Sequence, residues 1–131
     1  MEITVSQEQG RIPVTVLHVF GEIDARTADE FQATALQNIV GNAPALLLDL
    51  SGTRYISSAG LRALNAIFLA LRDRAGESAE RVGRGLRDGS YRSPHLKLLS
   101  PSPEVMRVLN TAGFDMFLDS YTDLRAAVAS F

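Results

Sequence analysis

The sequence predicts an α/β domain, a mixed, mostly parallel sheet of about five strands with about four helices. Three observations point to it. Short β-branched or leucine-rich runs alternate with segments whose apolar residues recur at helical spacing, in the order ββαβα–loop–βαβα. Strands separated by helices must be joined by crossovers, which lays them parallel. The length, 131 residues, suits one domain able to bury a core, and 46% hydrophobic against 21% charged residues is a globular balance, unlike a disordered chain. The expected organisation is a single domain over residues 1–131.

Residues 3–5 alternate briefly, and Gly10 with Pro13 marks a turn. Residues 14–20 are β-branched and apolar on both faces, as in a strand covered on both sides, and Gly21 ends them. The two strands should form an antiparallel hairpin. A helix is expected over residues 25–40, with Ala28, Phe31, Ala35 and Ile39 on one stripe and Leu36 and Val40 widening it. Asp24 or Thr27 would cap its start, and the run Gly41, Asn42, Ala43, Pro44 would stop it.

Residues 45–50, a continuous apolar run broken by Ser51 and Gly52, read as a buried central strand. Leu61, Leu64, Ala66, Ile67, Phe68 and Leu71 trace a second amphipathic helix that ends near Ala75 and Gly76. Residues 95–99 read as a strand. Pro101 and Pro103 precede a short helix bearing Val105, Val108, Leu109 and Ala112 on one face, stopped by Gly113. Residues 116–118 are expected as a strand and 122–130 as a last helix, with Leu124, Ala127 and Val128 inward. Residues 76–94 hold four glycines, several charges and almost no apolar periodicity, and are expected to be a mobile surface loop.

Composition excludes several functions. A net charge of −2 gives no basic face for nucleic acid. No apolar run approaches the roughly 18 residues that span a bilayer. The first ten residues lack the charged and apolar regions of a signal peptide, so the cytoplasm is the expected compartment. With no cysteine, disulfides, thiolate nucleophiles and cysteine-based zinc sites are absent. Lys97, the lone lysine against twelve arginines, is expected to be solvated at a strand start.

Catalytic constellations fail on inventory as well. His18 and His95 sit in predicted strands without metal-ligand spacing and are expected to be partly buried and hydrogen-bonded. Gly83, Gly85 and Gly89 lack the strand, spacing and Lys-Ser/Thr of a phosphate loop. No serine lies in a Gly-x-Ser-x-Gly elbow. Glu22 and Asp24 fall at a strand end, where such residues more often cap a helix. No cofactor or metal is expected.

The informative segment is the join between the central strand and its helix, residues 48–61, where Ser57 and Ser58 stand at the helix start. In an α/β sheet this carboxyl edge is the usual place for functional groups. Either serine would serve as N-cap by accepting a first-turn amide. Either would also suit a phosphoacceptor, since a helix N-terminus stabilises an anion through open amides and the dipole. A phosphate there adds about two negative charges to a surface that a partner must cover.

Asp49-Leu50-Ser51, followed by Tyr55-Ile56-Ser57-Ser58-Ala59-Gly60-Leu61-Arg62, resembles the signature of bacterial STAS domains, the anti-sigma factor antagonists. Gly21-Glu22-Ile23-Asp24 is similar to the family's Gly-Glu-Leu-Asp. Ser102-Pro103-Glu104-Val105, with Arg107-Val108-Leu109 and Gly113-Phe114, is similar to its later Ser-Pro-x-Val segment. The likeness runs in order over nearly the whole chain, with residues 76–94 as an apparent insertion.

The resemblance implies a STAS-type fold and a non-catalytic protein-binding switch. A GHKL-type serine kinase that is also the anti-sigma factor would bind the unmodified form and then phosphorylate it, and a serine phosphatase would reverse the mark. Aligning Gly60 with the motif glycine makes Ser58 the acceptor, with Ser57 as the alternative. Asp24, Ser57, Ser58, Ala59, Gly60 and Arg62 would form the partner face. Ser57 stands where the family often has aspartate, and Ala59 where it often has serine or threonine. Two other readings are a STAS scaffold subunit of a larger signalling or transport complex, without phosphorylation, and a small nucleotide-dependent enzyme, for which no nucleophile–base pair can be named.

Overall fold

The computed structural model describes every residue except Val40 and Asn42. The expected roles of those two, widening a helical stripe and helping to stop the helix, therefore lie outside the described residues. Five strands form one sheet in sequential order: β1 (Glu2–Gln9), β2 (Pro13–Phe20), β3 (Leu46–Gly52), β4 (Leu96–Leu99) and β5 (Ser120–Tyr121). The β1–β2 pair is antiparallel and the other pairings are parallel. The hairpin, then, needs only a short turn, while each later strand returns through a crossover.

The crossover helices are α1 (Ala28–Gln37), α2 (Ser58–Ala75), α3 (Ala79–Asp88) and α4 (Pro103–Thr111), and α5 (Leu124–Ala129) ends the chain. On one sheet face Leu17, Val19, Leu46, Leu48, Leu50, Leu96 and Leu98 meet Phe31 and Ala35 of α1, Leu64, Ile67, Phe68 and Leu71 of α2, and Val105 and Leu109 of α4. On the opposite face Val14, Val16, Leu47 and Leu99 meet Ala127, Val128 and Phe131. Alternation along β2 and β3 splits the two sets, as the period of two requires. The central strands are thus apolar on both sides, as expected, although Phe20 at the end of β2 is exposed.

The structure corrects five expectations. Residues 76–94 are not one long loop, because α3 occupies residues 79–88. The Ser78 hydroxyl caps it by accepting from the Arg81 amide, and Gly89 ends it in the left-handed region at φ 79°. Its inward face is little more than Val82 and Gly85, too narrow a stripe to register as periodicity.

Residues 116–118 do not form the fifth strand. Phe114–Met116 is a 3₁₀ turn that buries Phe114, and the strand follows at Ser120–Tyr121. The first helix begins at Ala28, not residue 25. Thr27 holds the N-cap position, but its hydroxyl donates back to the Glu22 carbonyl at 2.7 Å, so neither it nor Asp24 caps the helix through its side chain. Residue 95 precedes β4 rather than starting it.

Lys97 is the fifth correction, being only 6% exposed. Its ammonium donates to the Ser130 carbonyl (2.8 Å) and hydroxyl (3.0 Å), and it lies 4.9 Å from the Phe131 ring centroid. A cation at the carboxyl end of α5 satisfies the last carbonyls and opposes the negative end of the helix dipole. Lys97 therefore fastens α5 over the second sheet face.

Candidate functional site

β3 delivers the chain to the carboxyl edge of the sheet, and the loop beyond it is held at several points. Thr53, buried, donates from its hydroxyl to the Val19 carbonyl at 3.1 Å. The Ile23 amide donates to the Tyr55 carbonyl at 3.0 Å, and the Ser57 amide to the Ile23 carbonyl at 2.9 Å. Ile23 and Ile56 thereby form a parallel bridge, both side chains buried. The turn after β2 and the loop after β3 are one docked unit.

The two serines then part in role. Ser57 is the N-cap of α2: its backbone is extended and its hydroxyl accepts from the Gly60 amide at 3.3 Å. Ser58 is the first helical residue, exposed, and its hydroxyl makes no hydrogen bond among the described residues. The Ser57 carbonyl takes the Leu61 amide. Among the described residues the amides of Ser58 and Ala59 have no acceptor, at the positive end of an 18-residue helix.

Gly60 is buried, and a Cβ there would lie 2.7 Å from Ile56 Cγ1 and 2.8 Å from the Ile23 carbonyl oxygen. The α2 backbone thus needs glycine to seat against the bridge. Ala59 is partly buried against the core, whereas Arg62 points outward from the next turn. Asp24 sits on the neighbouring loop, where its carboxylate accepts from the Arg26 amide at 2.9 Å. That bond, aided by the Arg26 charge and by Thr27, holds its carboxyl below the usual range against the opposing effect of desolvation.

Two aromatics whose exposure sequence periodicity does not signal rim the same edge. Phe20 is 45% exposed at the end of β2, and Tyr55 is 47% exposed two residues before the cap. Phe20 pairs in register with Gly52, where a Cβ would come within 2.5 Å of its ring. A glycine opposite a terminal strand phenylalanine was the available sequence signal.

A polar chain on the second sheet face supports the root of the loop. His18 Nε2 lies 2.9 Å from the Ser6 hydroxyl and Nδ1 2.7 Å from Asp49 Oδ2. Asp49 Oδ1 accepts from the Ser51 amide (3.0 Å) and hydroxyl (2.7 Å). Burial opposes ionisation of Asp49, but the bonds from His18 and Ser51 together outweigh it and hold the carboxyl below its ordinary value. His95 Nδ1 lies 2.8 Å from the Pro44 carbonyl, so both histidines are hydrogen-bonded as expected. No cluster of metal-ligating side chains occurs among the described residues, and no described helix is long and apolar enough to cross a membrane.

A sequential mixed sheet whose third strand feeds a serine-capped helix defines a class of protein. The STAS domain family model matches residues 4–79, more than half of the 131 residues, and the chain belongs to that family. Solved structures agree in fold. An anti-sigma factor antagonist from Mycobacterium paratuberculosis superposes with a TM-score of 0.69 at 24% identity, over 98% of this chain and 93% of that one. A STAS domain protein from Planctomyces limnophilus gives 0.70 at 21% identity, over 98% and 97%. The Bacillus cell fate determinant SpoIIAA in its phosphorylated form gives 0.61 at 17% identity, over 95% and 96%. Comparison with curated protein sequences yields no match.

Proposed function

We propose that the chain is a phosphorylation-controlled binding switch, an anti-sigma factor antagonist that engages an anti-sigma factor while Ser58 is unmodified. In this reading the anti-sigma factor is also a serine kinase of GHKL type. It transfers the terminal phosphoryl group of ATP to the Ser58 oxygen, releasing ADP and the hydroxyl proton, the complex ends, and a serine phosphatase hydrolyses the ester to restore the hydroxyl. The chain acts as binding partner and phosphoacceptor, not as catalyst.

The observation that carries this reading is the division of labour between the serines. The Ser57 hydroxyl is committed to the Gly60 amide, while that of Ser58 is exposed and unused by the fold. A phosphate on Ser58 leaves the cap intact and is stabilised by the helix terminus. It also adds roughly −1.5 to −2 charges at the sheet edge that carries the exposed Phe20 and Tyr55. A partner that covers that edge must then desolvate the phosphate, which is costly without a paired cation.

In the same reading Asp24 and Arg62 contact the partner, and Ala59 and Gly60 let α2 lie close to the Ile23–Ile56 bridge. The description of similar structures as anti-sigma factor antagonists supports the partner class. The test is binding of the anti-sigma factor to wild type, Ser58→Ala and Ser58→Asp. Ser58→Asp should weaken the complex at least about tenfold with thermal stability unchanged. Wild-type affinity in that variant would sink the proposal.

A further inference from the structure

We propose that the groove between α3 and the segment entering β4 docks an acidic peptide segment of a protein partner, at a surface separate from the Ser58 face. The groove has a volume of about 640 Å³, within the range of sites that hold ligands. Arg81 and Arg84, one helical turn apart on α3, both line it and are both exposed. Its lining is mostly polar, with the half-buried Tyr91 ring as its apolar wall, while Val82 beneath belongs to the core. Gly85 lets Tyr91 close on the helix, since a Cβ there would be 2.6 Å from Tyr91 Cβ.

The charges around the groove are not equivalent. Glu77 is engaged by the Tyr91 hydroxyl, 3.1 Å from each of its carboxylate oxygens. Asp88 accepts from the Ser90 amide at 2.9 Å. Arg92 is spent on Asp119, at 2.6 and 2.9 Å, and on the carbonyls of Asp115 and Leu118. Arg84 lies near enough to Asp88 to help the Ser90 hydrogen bonds hold its carboxyl below the usual range. Yet neither Arg81 nor Arg84 is held by a carboxylate at ion-pair distance among the described residues, so both guanidinium groups can turn to an outside acid.

Spacing favours a peptide. Side chains three apart on a helix lie about 5–6 Å from one another at Cβ. Alternate side chains of an extended chain share a face at about 6.6–6.8 Å, so acids at alternate positions meet both arginines. An extended chain can set its acids opposite Arg81 and Arg84 and leave neutral residues against Glu77 and Asp88, which a compact polyanion with all its charge in one place does not do.

The location is independent of the switch. α2 has 18 residues, a length of about 27 Å at ~1.5 Å per residue, and the groove opens beyond its far end at Glu77. That exceeds the Debye length of about 8 Å at physiological salt, so a charge on Ser58 is screened from it. The family match ends at residue 79, where α3 begins.

The test titrates the full chain with a blocked peptide of alternating glutamate and serine, followed by calorimetry and amide chemical shifts. Binding should shift α3 amides and have equal affinity for wild type and Ser58→Asp. It should fall about tenfold or more in the Arg81→Gln/Arg84→Gln pair, whose fold circular dichroism would check, and vanish when glutamine replaces glutamate in the peptide. No binding, or binding indifferent to the arginine pair, would overturn the proposal. So would inorganic pyrophosphate binding as tightly as the peptide with the same dependence on the arginines.

Discussion

Ile23 and Ile56 form a parallel bridge outside the regular strands, and the amide of Ser57 closes it by donating to the Ile23 carbonyl at 2.9 Å. The residue that caps α2 is therefore fixed through its backbone to the turn after β2, and through its hydroxyl to the Gly60 amide. Ser58 follows on a rigid base with its own hydroxyl uncommitted. The cap and the free hydroxyl are thus separate, one on Ser57 and the other on Ser58.

Ser57→Ala removes the α2 cap and should cost about 1 kcal/mol of stability. Ser58→Ala removes no bond of the fold and should stay within about 0.5 kcal/mol of wild type. Urea unfolding of the two variants side by side measures the difference, and equal losses would show that the cap is shared.

Gly60→Ala drives a methyl into the Ile23 carbonyl and the Ile56 side chain, at 2.8 and 2.7 Å. One of those neighbours is backbone and cannot swing aside, so overpacking of about 1–3 kcal/mol is expected. The amide shifts of Ile23 and Ser57 should move with it, because the strain falls on the bridge that joins them.

Much of this was legible in the sequence, for reasons that differ by element. Leu46 to Leu50 and the Leu64, Ile67, Phe68, Leu71 stripe carry large apolar side chains at a clean period, and both elements were recognised. The Ser57–Ser58 join was legible through its position between them, but which serine caps depends on backbone angles that serine allows at either position. α3 carries no periodic signal because it buries only Val82 and Gly85, which leaves its caps Ser78 and Gly89 as the signal. The burial of Lys97 is not legible because its partner Ser130 is 33 residues away, a separation that no local pattern encodes. The rim aromatics Phe20 and Tyr55 were hidden for a related reason. A phenylalanine ending an apolar run looks buried until the sheet shows it half exposed over Gly52.

Lys97→Ala should loosen α5 by removing two hydrogen bonds from a buried ammonium and its contact with Phe131. A loss of about 1–3 kcal/mol is expected. Lys97→Met keeps much of the packing and should lose less. Hydrogen exchange at Ala127 and Val128 reports the loosening directly, and exchange unchanged in Lys97→Ala would refute the fastening role.

Asp49 sets part of the acid sensitivity. Its folded carboxyl lies below its unfolded value, so its contribution to stability is present above the unfolded pKa of about 3.9 and is lost as pH falls through the folded pKa. Asp49→Asn should be less stable than wild type at neutral pH and should lose less stability on acidification below about pH 4. Denaturant midpoints at a series of pH values test the sign, and parallel pH curves for the two proteins would contradict it.

The most direct test of the central claim is phosphopeptide mapping, with intact mass, of the chain isolated from its native cells in growth and under stress. The switch predicts phosphate on Ser58 in a fraction that changes with condition. Phosphate on Ser57 would contradict the assignment of the acceptor. No phosphate in any state, together with a constant co-purifying partner, would contradict the switch itself and point to a scaffold subunit.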